Sequence, residues 1–310
     1  MTDKTYLWVE RYSPTGIDDC ILPDEIKSAF VGYAEAGEFP NLILAGPAGV
    51  GKTSLSKALC EQLDVDLLFV NASNNRGIDE VRNTLHTFAS SSSLFGKKKV
   101  VLLDEADNMT QDAQKALRAM IEEFQNHCRF IMTCNYPHNL IDAIHSRCTV
   151  FDFHIRGEKS LKKISAQFAL RAAGILKENN IKFEPSLLMK YVISMAPDWR
   201  GSLNGLQGKT TTGVLDSSIL SETPDELVEF LKAKRWKDAQ EWIFRNSYLH
   251  PKQLEASLYR ALQPQLADES KPQVVLLFAT YSDKISSGAD PSITLLALAT
   301  EIMMGAEWKN

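Results

Sequence analysis

No run of apolar residues in this sequence approaches the ~18 needed to cross a bilayer. The first residues, Met-Thr-Asp-Lys-Thr-Tyr, lack the apolar stretch of a secretory signal. Cysteine is scarce: there are five, at 20, 60, 128, 134 and 148, and none form C-x-x-C. That usage suits a reducing compartment, so cytoplasmic residence is the default expectation. His127, Cys128, Cys134, His138, His145 and Cys148 crowd one stretch, but their spacings match no familiar zinc template, and Cys134 reads as part of a strand end. An excess of positive charge is also missing. The net charge of −5 argues against indiscriminate nucleic-acid binding by the whole surface, while leaving room for a local basic face. No internal repeat is found, and no strand pattern of comparable quality follows His154.

What is present is organised around Gly46-Pro-Ala-Gly49-Val50-Gly51-Lys52-Thr53, which fits G-x-x-x-x-G-K-[ST] at every fixed position. The apolar run Leu42–Leu44 before it reads as a buried strand. Leu55, Leu59 and Leu63 after it share one helical face. In that context the glycines let backbone N–H groups point at phosphate oxygens, and the helix start adds its positive dipole end. Lys52 would reach the β- and γ-phosphates, and the Thr53 hydroxyl would ligate Mg²⁺. Gly46, Gly49, Val50, Gly51, Lys52, Thr53 and Ser54 are therefore the expected phosphate-binding residues.

With 310 residues, 44% of them hydrophobic, two or three globular domains are expected. Leu67–Val70, Val100–Leu103, Arg129–Thr133 and Val150–Phe153 read as further strands. Helical patterns lie between them, beginning near Ile78 and running from Thr110 to Phe124. Five strands alternating with helices predict a doubly wound parallel sheet. Lys97-Lys98-Lys99 reads as a solvated entrance to the third strand. Beyond His154 the texture is helical: segments around Ile164–Leu176 and Leu187–Met195, a third beginning near Arg200, then 225–234, 236–246, 251–262, 271–287 and 292–307. The expected division is a nucleotide-binding α/β domain at 1–155, a small helical domain at 156–222 and a larger helical domain at 223–310.

The third strand runs into Asp104-Glu105-Ala106-Asp107. Carboxylates at the carboxyl end of a buried parallel strand lie where ligands bind in open α/β sheets. Asp104 can hold Mg²⁺, and Glu105 can orient and deprotonate the attacking water.

Together these residues resemble the AAA+ ATPases and, within them, the clamp loaders of DNA replication. The resemblance covers the first ~220 residues through several separate motifs. Trp8-Val9-Glu10-Arg11-Tyr12-Ser13-Pro14 is similar to the W-V-E-K-Y-R-P segment that packs on adenine, with serine in place of the usual arginine. Val9, Glu10, Arg11, Tyr12 and Ile21 are the base-side residues it implies. Asn135 matches the first sensor, which holds the attacking water or the γ-phosphate. Ser146-Arg147-Cys148 matches the S-R-C motif, whose arginine reaches ATP on the neighbouring subunit and can contribute about 10³–10⁵ in rate. Asp198-Trp199-Arg200 resembles the D-M-R of the second sensor, which would bring Arg200 to the γ-phosphate; the tryptophan reads as a packing change. The helical domains are then a lid and a collar.

The resemblance also implies partners: ATP and Mg²⁺ in the pocket, identical and non-identical subunits in a five-membered ring, a sliding clamp, primer–template DNA, and no membrane. Asn71–Arg82 and Thr110–Arg118 look like the segments that track the DNA backbone. Arg76, Ile78, Arg82, Thr110 and Lys115 are the DNA-side candidates, since helix starts and basic side chains bind phosphate without reading bases. Gln114 resembles a residue that links the second of these helices to the acidic motif and so to Glu105. The shortness of the chain, the absence of a zinc module and the run Gly213-Val-Leu-Asp216-x-x-Ile-Leu220 look most like T-even-type bacteriophage clamp loaders, with a cellular small subunit as the nearer alternative; a phage-encoded chain would work in the host cytoplasm. Two other functions fit part of the pattern. A Holliday-junction-type AAA+ helicase would require a winged-helix domain with strands and basic recognition residues. A nucleotide-sensing scaffold without turnover would have no need of Glu105, Asn135 or Arg147.

Overall fold

The computed structural model describes residues 6–73, 78–91, 96–216, 219, 224–247 and 251–309; side chains at 78–82 and at 252–253 are outside the description. The chain forms two compact units, Met1–Ile181 with Ala196–Thr211, and Lys182–Met195 with Thr212–Asn310. The helices are α1 (Trp8–Arg11), α2 (Asp24–Ala36), α3 (Lys52–Gln62), α4 (Ile78–Ser90), α5 (Gln111–Glu123), α6 (Asp142–His145), α7 (Glu158–Glu178), α8 (Pro185–Met195), α9 (Trp199–Lys209), α10 (Pro224–Lys232), α11 (Trp236–Arg245), α12 (Pro251–Leu262), α13 (Lys271–Ser286) and α14 (Pro291–Gly305).

The first unit is built on a parallel sheet of β1 (Leu42–Ala45), β2 (Asp66–Asn71), β3 (Lys99–Asp104), β4 (Cys128–Cys134) and β5 (Thr149–Asp152), in the order β2-β3-β4-β1-β5. Side chains of a strand alternate between faces, and here the alternation feeds two cores. Leu42, Leu44, Val100, Leu102 and Ile131 pack with Phe30, Leu55 and Leu59 on one face. Ile43, Val101, Leu103, Phe130 and Met132 pack with Leu85, Leu117 and Ile121 on the other. β1 lies between β4 and β5, with Ala45 level with Cys134 and Asp152. The carboxyl ends of β1 and β4 therefore open on one rim, where open α/β sheets place ligands.

One expectation changes, and one stretch gains helices that the sequence analysis does not place. The stretch before β1 contains α1 and the 13-residue α2, which follows Pro23, starts with Asp24 and Glu25 and ends at Gly37 in the left-handed conformation. Acidic groups favour a helix start, and glycine a helix end. Lys99 is not solvated. It is 6% exposed, and its ammonium donates to the Phe88 carbonyl (2.7 Å), the Ser91 hydroxyl (2.7 Å) and the Ser91 carbonyl. Three acceptors at the end of α4 compensate the buried charge.

Helices α7 and α9 belong to the first unit, and α8 to the second. In the second unit α10–α14 share a core of Trp242, Leu231, Leu258, Leu262, Leu298 and Ile302. The Asp290 carboxylate caps α14 by accepting the Ile293 N–H (2.9 Å), with Pro291 in its first turn. Among the described residues this unit holds isolated bridges, Lys182 with Val214 and Leu266 with Trp308, and no strand.

Candidate ATP-hydrolysis site

Between β1 and α3 the glycine-rich loop is shaped by close approaches. A Cβ on Gly46 would lie 2.8 Å from that of Phe153. At Gly49 the backbone has φ +79°, and a Cβ would lie 1.8 Å from Asp198 Oδ1. Neither position has room for a side chain. Lys52 opens α3 and is 7% exposed. Its Nζ donates to the carbonyls of Gly46 (2.7 Å) and Pro47 (2.8 Å) and to Asn135 Oδ1 (3.0 Å). Burial pulls the ammonium down to about 8, and the neighbouring Cys134, Asp104 and Asp107 oppose that shift. A polyphosphate beside it would favour the charged form further.

The Thr53 hydroxyl donates to Asp104 Oδ1 (2.6 Å), and so does Thr133 Oγ1 (2.6 Å). Thr133 Oγ1 in turn accepts the Glu105 N–H (3.1 Å). One hydroxyl at the end of β4 thus fixes both acids. Glu105 turns the chain with φ +57° and ψ 44°, and its carboxylate accepts from Asn108 at the long distance of 3.4 Å. A non-glycine residue in this region is uncommon and clusters at functional sites. Thr53 and Asp104 offer a hydroxyl and a carboxylate, the hard oxygen donors suited to Mg²⁺. Burial pushes the Cys134 thiol up to about 12, so the free thiol stays protonated at neutral pH.

These groups line a cavity of about 200 Å³ within the first unit. Of the expected residues, Val9, Tyr12, Ile21, Gly49, Val50, Gly51, Lys52, Thr53, Ser54, Asp104, Glu105, Asn135 and Arg200 line it. Three do not. Gly46 is turned against Phe153, Glu10 is exposed on α1, and Arg11 is committed to Glu178 (2.5 Å). Sequence reasoning missed Thr133, Phe168 and Arg171, and it gave Trp199 no place in the wall. Trp199 stacks on Phe168 with ring centroids 4.7 Å apart. Arg171 on α7 donates to the carbonyls of Asp19 (2.5 Å) and Tyr12 (2.7 Å), and Asn179 donates to the Tyr12 hydroxyl (2.8 Å). The strand-end position of Thr133, two before Asn135, was a usable signal; Arg171 offered none.

Other expected residues lie away from the cavity. Arg147 donates through Nε to Glu122 (2.8 Å), through its NH2 group to the same carboxylate, and through its NH1 group to the Ala143 carbonyl (2.7 Å). Thr110 caps α5 by accepting the Ala113 N–H (3.3 Å), and Lys115 pairs with Asp112 (2.9 Å). Gln114 is 1% exposed, donates to the carbonyls of Met109 and Asn139 and accepts the Ile141 N–H. It braces the ends of two loops and makes no hydrogen bond to Glu105. Arg76 lies outside the described residues; Ile78 begins α4, and its side chain and that of Arg82 are likewise outside.

A phosphate-binding loop, two acids at a strand end and a polar residue on the adjacent strand, set on a five-stranded parallel sheet, define a P-loop ATPase. The family model for the ATPases associated with various cellular activities (AAA) matches residues 42–156. The replication factor C small subunit of Archaeoglobus fulgidus is 30% identical over 93% of this chain and 94% of its own length. The sliding-clamp-loader large subunit of Escherichia phage RB69 is 34% identical over 76% of each chain. In fold, the structure resembles the Thermotoga maritima RuvB Holliday junction branch migration motor, with a TM-score of 0.54, 19% identity and coverage of 80% of this chain and 85% of that one. The chain belongs to the AAA ATPases and, within them, to the family of the replication factor C small subunits.

Proposed function

We propose that the chain is the ATPase subunit of a sliding-clamp loader. ATP binding opens the ring-shaped clamp and lets the loader grip primer–template DNA; hydrolysis, triggered by DNA and clamp, releases the closed clamp on the DNA. The observation that carries this reading is the convergence of the phosphate loop, Asp104, Glu105, Asn135 and Arg200 on one cavity, in a chain related to clamp-loader subunits.

The residues divide the work. Backbone N–H groups of the loop and Lys52 hold the phosphates. Thr53 and Asp104 would hold Mg²⁺, which supplies charge neutralisation at the β- and γ-phosphate oxygens. Glu105 orients a water and takes its proton as the water oxygen attacks the γ-phosphorus and the β–γ bridging oxygen leaves. Asn135 keeps its Oδ1 on Lys52, so its Nδ2 donors can serve the water or the γ-phosphate. Arg200 contacts that phosphate from α9. Val9, Tyr12 and Ile21 cover the base. Arg147 acts on the ATP of the next subunit, in a five-membered ring of identical subunits and one non-identical subunit. In this reading the chain divides into nucleotide domain, lid and collar at 1–155, 156–222 and 223–310, and it works in the cytoplasm, that of a host if phage-encoded. Thr110 and Lys115, with Arg76, Ile78 and Arg82, follow the DNA backbone.

ATP turnover measured for the chain alone, with primed DNA, and with DNA plus candidate clamps tests the reading. Stimulation by both additions is expected. Strand displacement without a clamp would instead favour a branch-migration motor.

A further inference from the structure

Asp107, the last residue of the acidic motif, has no role in the reading above. We propose that it is a positioning residue that sets Asn135 for hydrolysis; this rests on the assignment of Asn135 to the γ-phosphate side of the cavity.

The geometry begins at Glu105, whose left-handed backbone turns the chain into the short helix Ala106–Asn108. Ala106 is thereby buried, and Asp107, 8% exposed, is brought beneath the end of β4. There Asp107 Oδ2 accepts two consecutive backbone N–H groups, those of Asn135 (3.0 Å) and Tyr136 (2.9 Å). Two amides on one carboxylate oxygen fix both the place and the direction of the peptide that carries the Asn135 side chain. That side chain accepts from Lys52, whose ammonium also holds the loop carbonyls of Gly46 and Pro47. One line of contacts therefore runs from the acidic motif through Asp107 and Asn135 to the phosphate loop. Asp107 does not line the cavity; its hydrogen bonds reach the cavity through the Asn135 peptide, and its charge also favours the Lys52 ammonium, a contribution that Asp107→Asn removes while keeping the acceptor.

The carboxylate is an expensive way to hold a loop if stability were the whole purpose. Its Oδ1 is buried and has no hydrogen-bond partner among the described residues. A half-used buried carboxylate stabilises a fold poorly. What it supplies is a charge-assisted acceptor, stronger and more directional than a neutral one. A small displacement of a positioned catalytic group can cost about a hundredfold in rate.

The experiment uses the full chain, with ATP and Mg²⁺ as probes, and measures turnover, nucleotide affinity and thermal unfolding. Asp107→Ala is expected to lower turnover about tenfold to a hundredfold while the affinity for ATP stays within about threefold. Asp107→Asn keeps an oxygen acceptor for the two amides and is expected to recover turnover to within about fivefold of the parent. The double variant Asp107→Ala/Asn135→Ala is expected to turn over no more slowly than Asn135→Ala alone, because the first residue acts through the second. Multiplicative losses in the double variant, unchanged turnover in Asp107→Ala, or a loss of affinity that matches the loss of turnover would overturn the proposal. If Asn135→Ala itself turned over normally, the assignment of Asn135 would fall, and the proposal with it. A fold that survives only with the carboxylate, shown by an unfolding temperature lowered in Asp107→Asn as far as in Asp107→Ala, would reassign Asp107 to stability alone.

Discussion

The cavity at the rim of the sheet and the surface formed by α5 and α6 carry the same kinds of side chain in opposite circumstances. In the cavity, Lys52 is buried and bound to three oxygens, and Asp104 accepts two hydroxyls. On the surface beside α5 and α6, Lys115 is exposed and pairs with Asp112, while Arg147 is partly exposed and donates to the Glu122 carboxylate and the Ala143 carbonyl. A charge in low dielectric with several partners is held in one place, whereas an exposed pair contributes little and can exchange partners. The cavity is thus preorganised for a ligand that comes to it, and the surface holds groups that can be transferred to something else.

The sharpest break of this comparison is Arg147→Ala. In the assembled loader it is expected to cut DNA- and clamp-stimulated turnover by about 10³ or more, while ATP affinity of the isolated chain stays unchanged. An equal loss of affinity in the isolated chain would place Arg147 in its own cavity. Glu105→Gln comes next: turnover should fall about 10²–10³-fold with ATP still bound. Single-turnover phosphate release with equilibrium binding separates the two effects. A smaller change is expected for Arg171→Ala, which removes two donors from the Tyr12 and Asp19 carbonyls. Affinity for ATP should drop about threefold to tenfold with little change in the maximal rate. The smallest effect is expected for Lys115→Ala on the exposed surface: primer–template affinity falling less than about tenfold, equally for unrelated sequences, with a salt dependence reduced by about one ion.

Both regions were legible in the sequence to different depths, for a physical reason. The phosphate loop needs fixed residue types at fixed spacing, because backbone amides, a lysine and a hydroxyl must meet one phosphate chain. The acids follow a strand so apolar that its end is unmistakable. The C-terminal helices could be placed within a few residues because amphipathic spacing is local. Glu10 and Arg11 were set beside the base by motif alone; the four-residue α1 turns Glu10 to solvent and Arg11 to Glu178. Lys99 was read as solvated since nothing in its neighbours in sequence announces the carbonyls of Phe88 and Ser91 at the end of α4.

The sequence by itself determined the class of protein, a P-loop ATPase, and singled out Gly49–Thr53, Asp104 and Glu105 as the candidate residues for its chemistry. Those assignments depend on residue type and on neighbours a few positions away. Only the tertiary structure decided the support around them. Thr133 joins Asp104 to Glu105, Asp107 anchors the peptide of Asn135, and Arg171 ties α7 to the segment from Tyr12 to Asp19. Each of these bonds spans residues 28 or more apart in the chain, so no local pattern encodes them. They exist because parallel pairing brings β3 beside β4 and sets the strand ends on a common rim.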